Sequence, residues 1–209
     1  MNIWYLLAVL VIILLSMSLH EMSHAYVAYW LGDDTARAQG RLTLNPLKHI
    51  DPVMSIAVPL LFALSGGPIF GGAKPVPLNF SRIKGGNVGI ALVAIAGPLV
   101  NLILAYLAFC VVYYAHVPVD AGWGFYVFLA VQVNLGFFVF NLIPIPPLDG
   151  SRVLYALAPQ FIQTAMEKME RFGLIIMIAL VLVFGSFLTA FMGNAINFII
   201  VDIFGRLVL

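Results

Sequence analysis

The chain has 209 residues, of which 63% are hydrophobic and 9% charged. That balance lies outside soluble globular domains, so an integral membrane protein is expected, with no length left for a separate soluble domain. A formal net charge of +1 supplies no basic stripe and excludes nucleic acid as a partner, and the single Cys110, in an apolar run, cannot form an internal disulfide.

The first apolar run, Ile3 to Leu31, is long enough for a tilted membrane helix and is stopped by Gly32 and Asp33-Asp34. It is too long for a signal peptide and lacks a basic n-region, so it is expected to be retained. Ala36 to Leu44 alternates partly and reads as a strand, closed by Asn45-Pro46. Val53 to Leu64 is too short for a span and reads as a re-entrant or interfacial piece; Ala73 to Leu78 reads as an edge strand, where prolines are tolerated. A second span covers about Asn87 to Ala115, kinked by Pro98 beside Asn101. A third, about Trp123 to Leu142, carries Gln132, Asn134 and Asn141 and breaks at Pro144, Pro146 and Pro147. Ser151 then caps a short helix to about Leu157, and Gln160 to Arg171 suits the interface. Phe172 to Leu209 fits either one span with an amphipathic tail or two spans divided near Gly193.

The expected architecture is an all-α polytopic membrane protein of about four to six membrane segments, with a small cytoplasmic-side β or re-entrant region between the first two long helices. It forms one domain over 1–209, with its core at about 3–157 and C-terminal membrane helices at about 172–209. Arg37, Arg41, Lys48, Lys74, Arg82, Lys84, Arg152, Lys168 and Arg171 lie in connections that share one side if Val53 to Leu64 does not cross. The connection His116 to Gly122 has no basic residue. The positive-inside rule makes the basic side cytoplasmic and the N-terminus external.

The chemistry-bearing residues begin with His20-Glu21-Met22-Ser23-His24. Two imidazoles and a carboxylate are costly in hydrocarbon, so a membrane helix that keeps them is expected to use them. On a helix His20 and His24 share a face and can bind one ion, while Glu21 projects about 100° round the axis. Zinc suits these ligands, and a catalytic zinc needs a third protein ligand and an open position. No extended soluble-protease pattern follows, so that ligand must come from elsewhere. Asp149 is the candidate because the topology brings it to the depth of His20 and His24; the bland alternative is a carboxylate that only caps the helix at Ser151 or turns with Gly150. His49 is the alternative donor, better suited to a contact behind a ligand. Asn101 is a candidate oxyanion donor or substrate-backbone contact, against a purely structural role near Pro98.

Three stretches together, His20 to His24, Ala96-Gly97-Pro98-Leu99-Val100-Asn101 and Asn141 to Gly150 (N-L-I-P-I-P-P-L-D-G), resemble the signatures of the site-2 protease family of intramembrane zinc metalloproteases. Gly40 to Pro52 and Ala73 to Pro77 resemble its compact bacterial branch, and neither a PDZ nor a CBS domain is present. The resemblance implies one zinc ion per chain held by His20, His24 and Asp149, with Glu21 as the catalytic carboxylate and Asn101 and Asn141 shaping the site and holding substrate. It also implies single-span membrane proteins as substrates, cleaved within the lipid bilayer of a bacterial inner membrane; the lysine and arginine placement puts the active site towards the cytoplasmic side. A homo-oligomer stays open. The competing classes are a catalytically silent scaffold of protease ancestry, which would have lost Glu21 or a ligand, and a small transporter, which would show repeats or several broken helices.

Overall fold

The computed structural model describes residues 3–51, 74–120 and 122–208. The first apolar run forms α1 (Ile3–Trp30), 28 residues and roughly 42 Å long at 1.5 Å per residue. Gly32 N–H bonds to Tyr29 O (3.1 Å) and Asp33 N–H to Ala28 O (2.9 Å), satisfying carbonyls that the helix end leaves open.

The strand expected over Ala36 to Leu44 does not form. Asp33 Oδ1 accepts from Thr35 N–H at 3.0 Å and starts a single helical turn, α2 (Thr35–Ala38). Asn45 Oδ1 accepts from Leu47 N–H at 3.0 Å and starts a 3-10 turn over Pro46–Lys48. Both side chains bond backbone two residues on, which competes with any strand ladder. Residues 74–79 run irregularly, and among the described residues there is no strand. The expected re-entrant run, 53–64, lies outside the described residues.

The remaining elements are α3 (Gly86–Tyr114), α4 (Gly122–Asn141), the short helices α5 (Asp149–Leu157) and α6 (Gln160–Glu170), and α7 (Gly173–Phe198). The last of these runs on through a π-helical turn, Ile199–Phe204, into Gly205–Val208. Of the two arrangements open for the C-terminal stretch, the continuous one is formed, with no break at Gly193. Among the described residues, four helical stretches are long and apolar enough to cross a membrane: Ile3–Trp30, Gly86–Tyr114, Gly122–Asn141 and Ile175–Val208.

Helix α3 is the centre of the molecule, packed against α1, α4 and α5. Small residues on it, Ala94, Ala96, Gly97 and Ala105, are buried and let neighbouring backbones approach closely. One apolar cluster joins Ala105 of α3 to Val131, Leu135 and Val139 of α4 and to Ile199 and Phe204 at the end of the chain. A second joins Val9, Ile13 and Met17 of α1 to Leu129 and Phe137 of α4. The outward faces carry exposed Trp4, Leu7, Val11 and Leu15 on α1 and Leu99, Ile103 and Leu107 on α3, while Ser16, Ser18, His20, Glu21, His24, Asn101 and Asn134 are buried. Apolar side chains outside and polar ones within is the arrangement that lipid demands.

Lys84 N–H bonds to Leu31 O at 2.8 Å, so the end of α1 meets the approach to α3 and both lie on one side. A Cβ on Gly173 would touch Pro147, which brings the start of α7 to the turn between α4 and α5. The connections that carry the basic residues therefore gather at one end of the bundle.

Candidate metal centre

His20 and His24 stand one turn apart on α1, with rings edge to face and centroids 4.7 Å apart. Their Nε2 atoms are 3.0 Å apart. Asp149, the first residue of α5, places Oδ2 at 3.1 Å from His20 Nε2 and 3.4 Å from His24 Nε2. Among the described residues these three form the group able to hold a metal ion.

The chain builds this cluster from three directions. The prolines after Asn141 end α4 and turn the chain into α5, and Gly150 lets that helix start against the preceding backbone: a Cβ there would lie 2.8 Å from Ile143 O and closer still to Leu142 O. Behind the imidazoles, Val93, Gly97 and Asn101 lie four residues apart on one face of α3, the same spacing as His20 and His24. His20 Nδ1 donates to Asn101 Oδ1 at 2.6 Å, and His24 Nδ1 donates to Val93 O at 2.7 Å. Between them Gly97 offers bare backbone, since a Cβ would fall 2.6 Å from His20 Cε1 and Nε2.

These bonds decide the chemistry of the cluster. With the proton on Nδ1, each imidazole presents the Nε2 lone pair to the other and to Asp149. Asp149 Oδ2 is buried and has no hydrogen-bond partner. Three atoms able to offer lone pairs, gathered in a buried space, are complementary to a cation. Ligands about 2.0 Å from a tetrahedral zinc stand about 3.3 Å apart, which matches the observed separations, and a set of two histidines and one aspartate leaves one position open. The residues fit zinc.

Glu21 lies beside this cluster, 9% exposed, and its Oε2 accepts from Val76 N–H at 2.8 Å. The segment that brings Val76 there is anchored along its length. Lys74 N–H bonds to His49 O (2.8 Å), Arg41 Nη2 donates to Lys74 O (2.7 Å), and Asn79 N–H donates to Asp33 Oδ2 (2.6 Å). Burial pushes the Asp33 carboxyl up, but the hydrogen bonds from Thr35 and Asn79 and the charge of Arg82 outweigh it and hold the group below the ordinary carboxylate value. A cavity of about 440 Å³ opens over the cluster, with Glu21, Val76, Phe80, Asn141 and Arg152 among its walls. Arg152 stacks over Phe80 with its guanidinium carbon 4.5 Å from the ring centroid and pairs with Glu170.

The other residues singled out in the sequence are placed differently. Asn101 stands behind His20: its Oδ1 accepts from His20 Nδ1, and its Nδ2 donates to Asn134 Oδ1 at 3.0 Å. Its amide bridges His20 and Asn134 behind the ligand cluster. Asn141 lines the cavity while its Nδ2 donates to Phe137 O at 3.0 Å. His49 is buried, with its ring Nε2 2.9 Å from Thr43 O and its carbonyl bonded by Lys74 N–H. His116 closes the far end of α3. Gly97 and the Val93 carbonyl escaped the sequence reading, although the shared spacing of four between 93, 97 and 101 was a signal for both.

The model of peptidase family M50 matches residues 115–184, a stretch that includes Asp149. Over 175 residues the chain is 41% identical to "Putative zinc metalloprotease YwhC" of Bacillus subtilis, covering 80% of this chain and 77% of that protein. "Putative zinc metalloprotease Rip2" of Mycolicibacterium smegmatis is 34% identical over 174 residues, and its Mycobacterium tuberculosis namesake 36% over 171; each alignment spans 81% of this chain and 64% of the relative. No solved structure matches the chain. The chain belongs to peptidase family M50, the site-2 protease family of membrane metalloproteases that its three motifs resemble.

Proposed function

We propose that the chain is an intramembrane zinc endopeptidase that hydrolyses peptide bonds in the membrane-spanning segments of other proteins. The observation that carries this is the convergence of His20 Nε2, His24 Nε2 and a partnerless Asp149 Oδ2 within 4.8 Å, with Glu21 on the next position of the same helix. His20, His24 and Asp149 would hold one zinc ion per chain, which when bound would supply Lewis acidity toward a peptide carbonyl and acidify a water molecule.

The protein's own groups do the rest. Asn101 and the Val93 carbonyl keep both imidazoles as Nδ1–H donors, with Nε2 turned to the ion. Val76 N–H fixes one oxygen of the Glu21 carboxylate, which leaves Oε1 to take the proton of the attacking water and pass it to the leaving amide nitrogen as the carbon–nitrogen bond breaks. A substrate helix has its backbone groups already bonded, so a local unwinding precedes cleavage; Asn141, on the cavity wall, is the candidate contact for the freed backbone. The basic residues gathered at one end of the bundle support a site opening towards the cytoplasmic side of a bacterial inner membrane.

The test is cleavage of a co-expressed single-span membrane protein. Glu21→Gln is expected to abolish cleavage and leave zinc bound, and Asp149→Asn to reduce zinc content sharply. Unchanged cleavage by the first variant refutes the role of Glu21; full zinc content in the second moves the third ligand elsewhere.

A further inference from the structure

The hydrogen bonds behind His20 continue past Asn101 into α4, where Asn134 is 4% exposed and Asn101 itself has no exposed surface. Asn101 Nδ2 lies 3.0 Å from Asn134 Oδ1, and Asn134 Nδ2 lies 2.9 Å from Ala130 O. The sequence offers a polar residue in a membrane helix here and nothing more; the structure supplies its partners.

We propose that Asn134 is a positioning residue that sets the tautomer of His20 through Asn101. A carboxamide has nearly the same shape when its oxygen and nitrogen exchange places, so sterics alone do not choose which end of Asn101 faces His20. In one orientation Asn101 Oδ1 accepts from His20 Nδ1–H and Nε2 keeps its lone pair. In the other, the Asn101 amino group donates to Nδ1, the ring proton moves to Nε2, and that nitrogen can no longer hold a metal ion.

The chain of bonds removes the choice, starting from its far end. The Ala130 carbonyl accepts only, so Asn134 turns its amino group to Ala130 and its oxygen to Asn101. That oxygen accepts only, so Asn101 presents Nδ2 to it and Oδ1 to His20. Oδ1 accepts only, so His20 donates from Nδ1. Each link follows from the one before, and a backbone carbonyl on α4 ends by specifying where the proton sits on a ligand of α1. Neighbouring Val131 and Leu135 have no exposed surface, and a core closed in this way gives water no path to substitute for a missing link. His24 needs no such relay, because its Nδ1 faces the Val93 backbone carbonyl directly.

The inference rests on the metal site proposed above, and its test separates the two. The zinc dissociation constant is measured by chelator competition on the full chain in detergent, and the tautomer of each histidine by nitrogen NMR of the isotope-labelled, zinc-free protein, with His20 assigned by His20→Gln. Asn134→Leu is expected to weaken zinc binding by about tenfold and to replace a pure Nδ1–H state of His20 by a mixture, leaving His24 unchanged. Asn134→Asp, held in its neutral form by burial, would donate its carboxyl proton to the Ala130 carbonyl and accept from Asn101 through the other oxygen, and is expected to restore both. The inference is overturned if Asn134→Leu keeps the wild-type tautomer, or if aspartate and leucine are equally damaging, which makes the effect one of packing. Should the leucine variant not fold, Asn134→Ala carries the same two expectations. Failure of the wild type to bind zinc would instead sink the metal reading, while the tautomer of the zinc-free protein still decides this one.

Discussion

Replacing Gly97 by alanine tests the fit between α1 and α3 at its tightest point. The added methyl would lie 2.6 Å from two atoms of the His20 ring and closer still to His24 Nε2, whereas ordinary contacts of a Cβ begin at 3.4 Å, so the His20 ring must retreat by about 0.8 Å and the His24 ring by more. A site of this kind tolerates displacements of only about 0.5 Å, and forcing one methyl into a packed core costs about 1–3 kcal/mol. Borne by the metal site, that cost corresponds to a roughly 5- to 150-fold weaker zinc affinity at about 1.4 kcal/mol per factor of ten. Intrinsic propensity acts the other way, since alanine is the better helix former by about 1 kcal/mol. The variant is therefore expected to fold and lose zinc. The assay is chelator competition beside thermal unfolding of the zinc-free protein, with Gly193→Ala, whose added methyl would meet nothing within 4 Å, as the neutral control. Zinc affinity within twofold of wild type in Gly97→Ala would refute the close approach of the histidines to the α3 backbone.

Three further outcomes follow from the same geometry. Gly150→Ala presses a methyl against the Leu142 and Ile143 carbonyls, so it should displace Asp149 and lower zinc content even though the ligand is unchanged; metal analysis of the purified variant reads this. Arg41→Met removes the donor to the Lys74 carbonyl and, at about 2 kcal/mol for a hydrogen bond from a charged group, should raise amide exchange across 74–79 while zinc stays bound. Asp33 has a carboxyl held below its ordinary value in the folded chain, so its stabilisation is complete above the ordinary carboxylate range and is lost as pH falls through the lowered value. Thermal unfolding followed from neutral to acid pH should show that loss in the wild type and a flatter profile in Asp33→Asn.

What was legible in the sequence was the chemistry carried by fixed spacing. His20 and His24 are one turn apart on any helix, and the proline break after Asn141 puts Asp149 beside them once the chain is threaded through a bilayer. What was not legible depended on choices among hydrogen-bond partners. Asn101 reads equally well as a donor to substrate or as a support for a ligand, and its bonds to His20 and Asn134 depend on how α1 and α4 approach α3. The strand read over Ala36 to Leu44 failed for a similar reason: Asp33 and Asn45 engage nearby backbone, which period-two patterning does not register. The C-terminal helix carried no break signal stronger than Gly193, and a glycine in an apolar helix costs too little to end it.

Both partners of the histidines belong to α3, and this makes the line of contact between α1 and α3 a seam that cannot open without dismantling the site. A peptide wedged between those helices would part His20 from Asn101 and His24 from Val93 in one motion. The opposite wall is held by other elements: the segment bearing Val76 bonds to Glu21, His49, Arg41 and Asp33, Val76 packs with Ala25 and Ala36, and Phe80 meets α5 through the stacked Arg152. Displacing that wall uncovers Glu21 and leaves the donor set whole. The fold thus separates the helix that orients the donor set from the segment that covers Glu21.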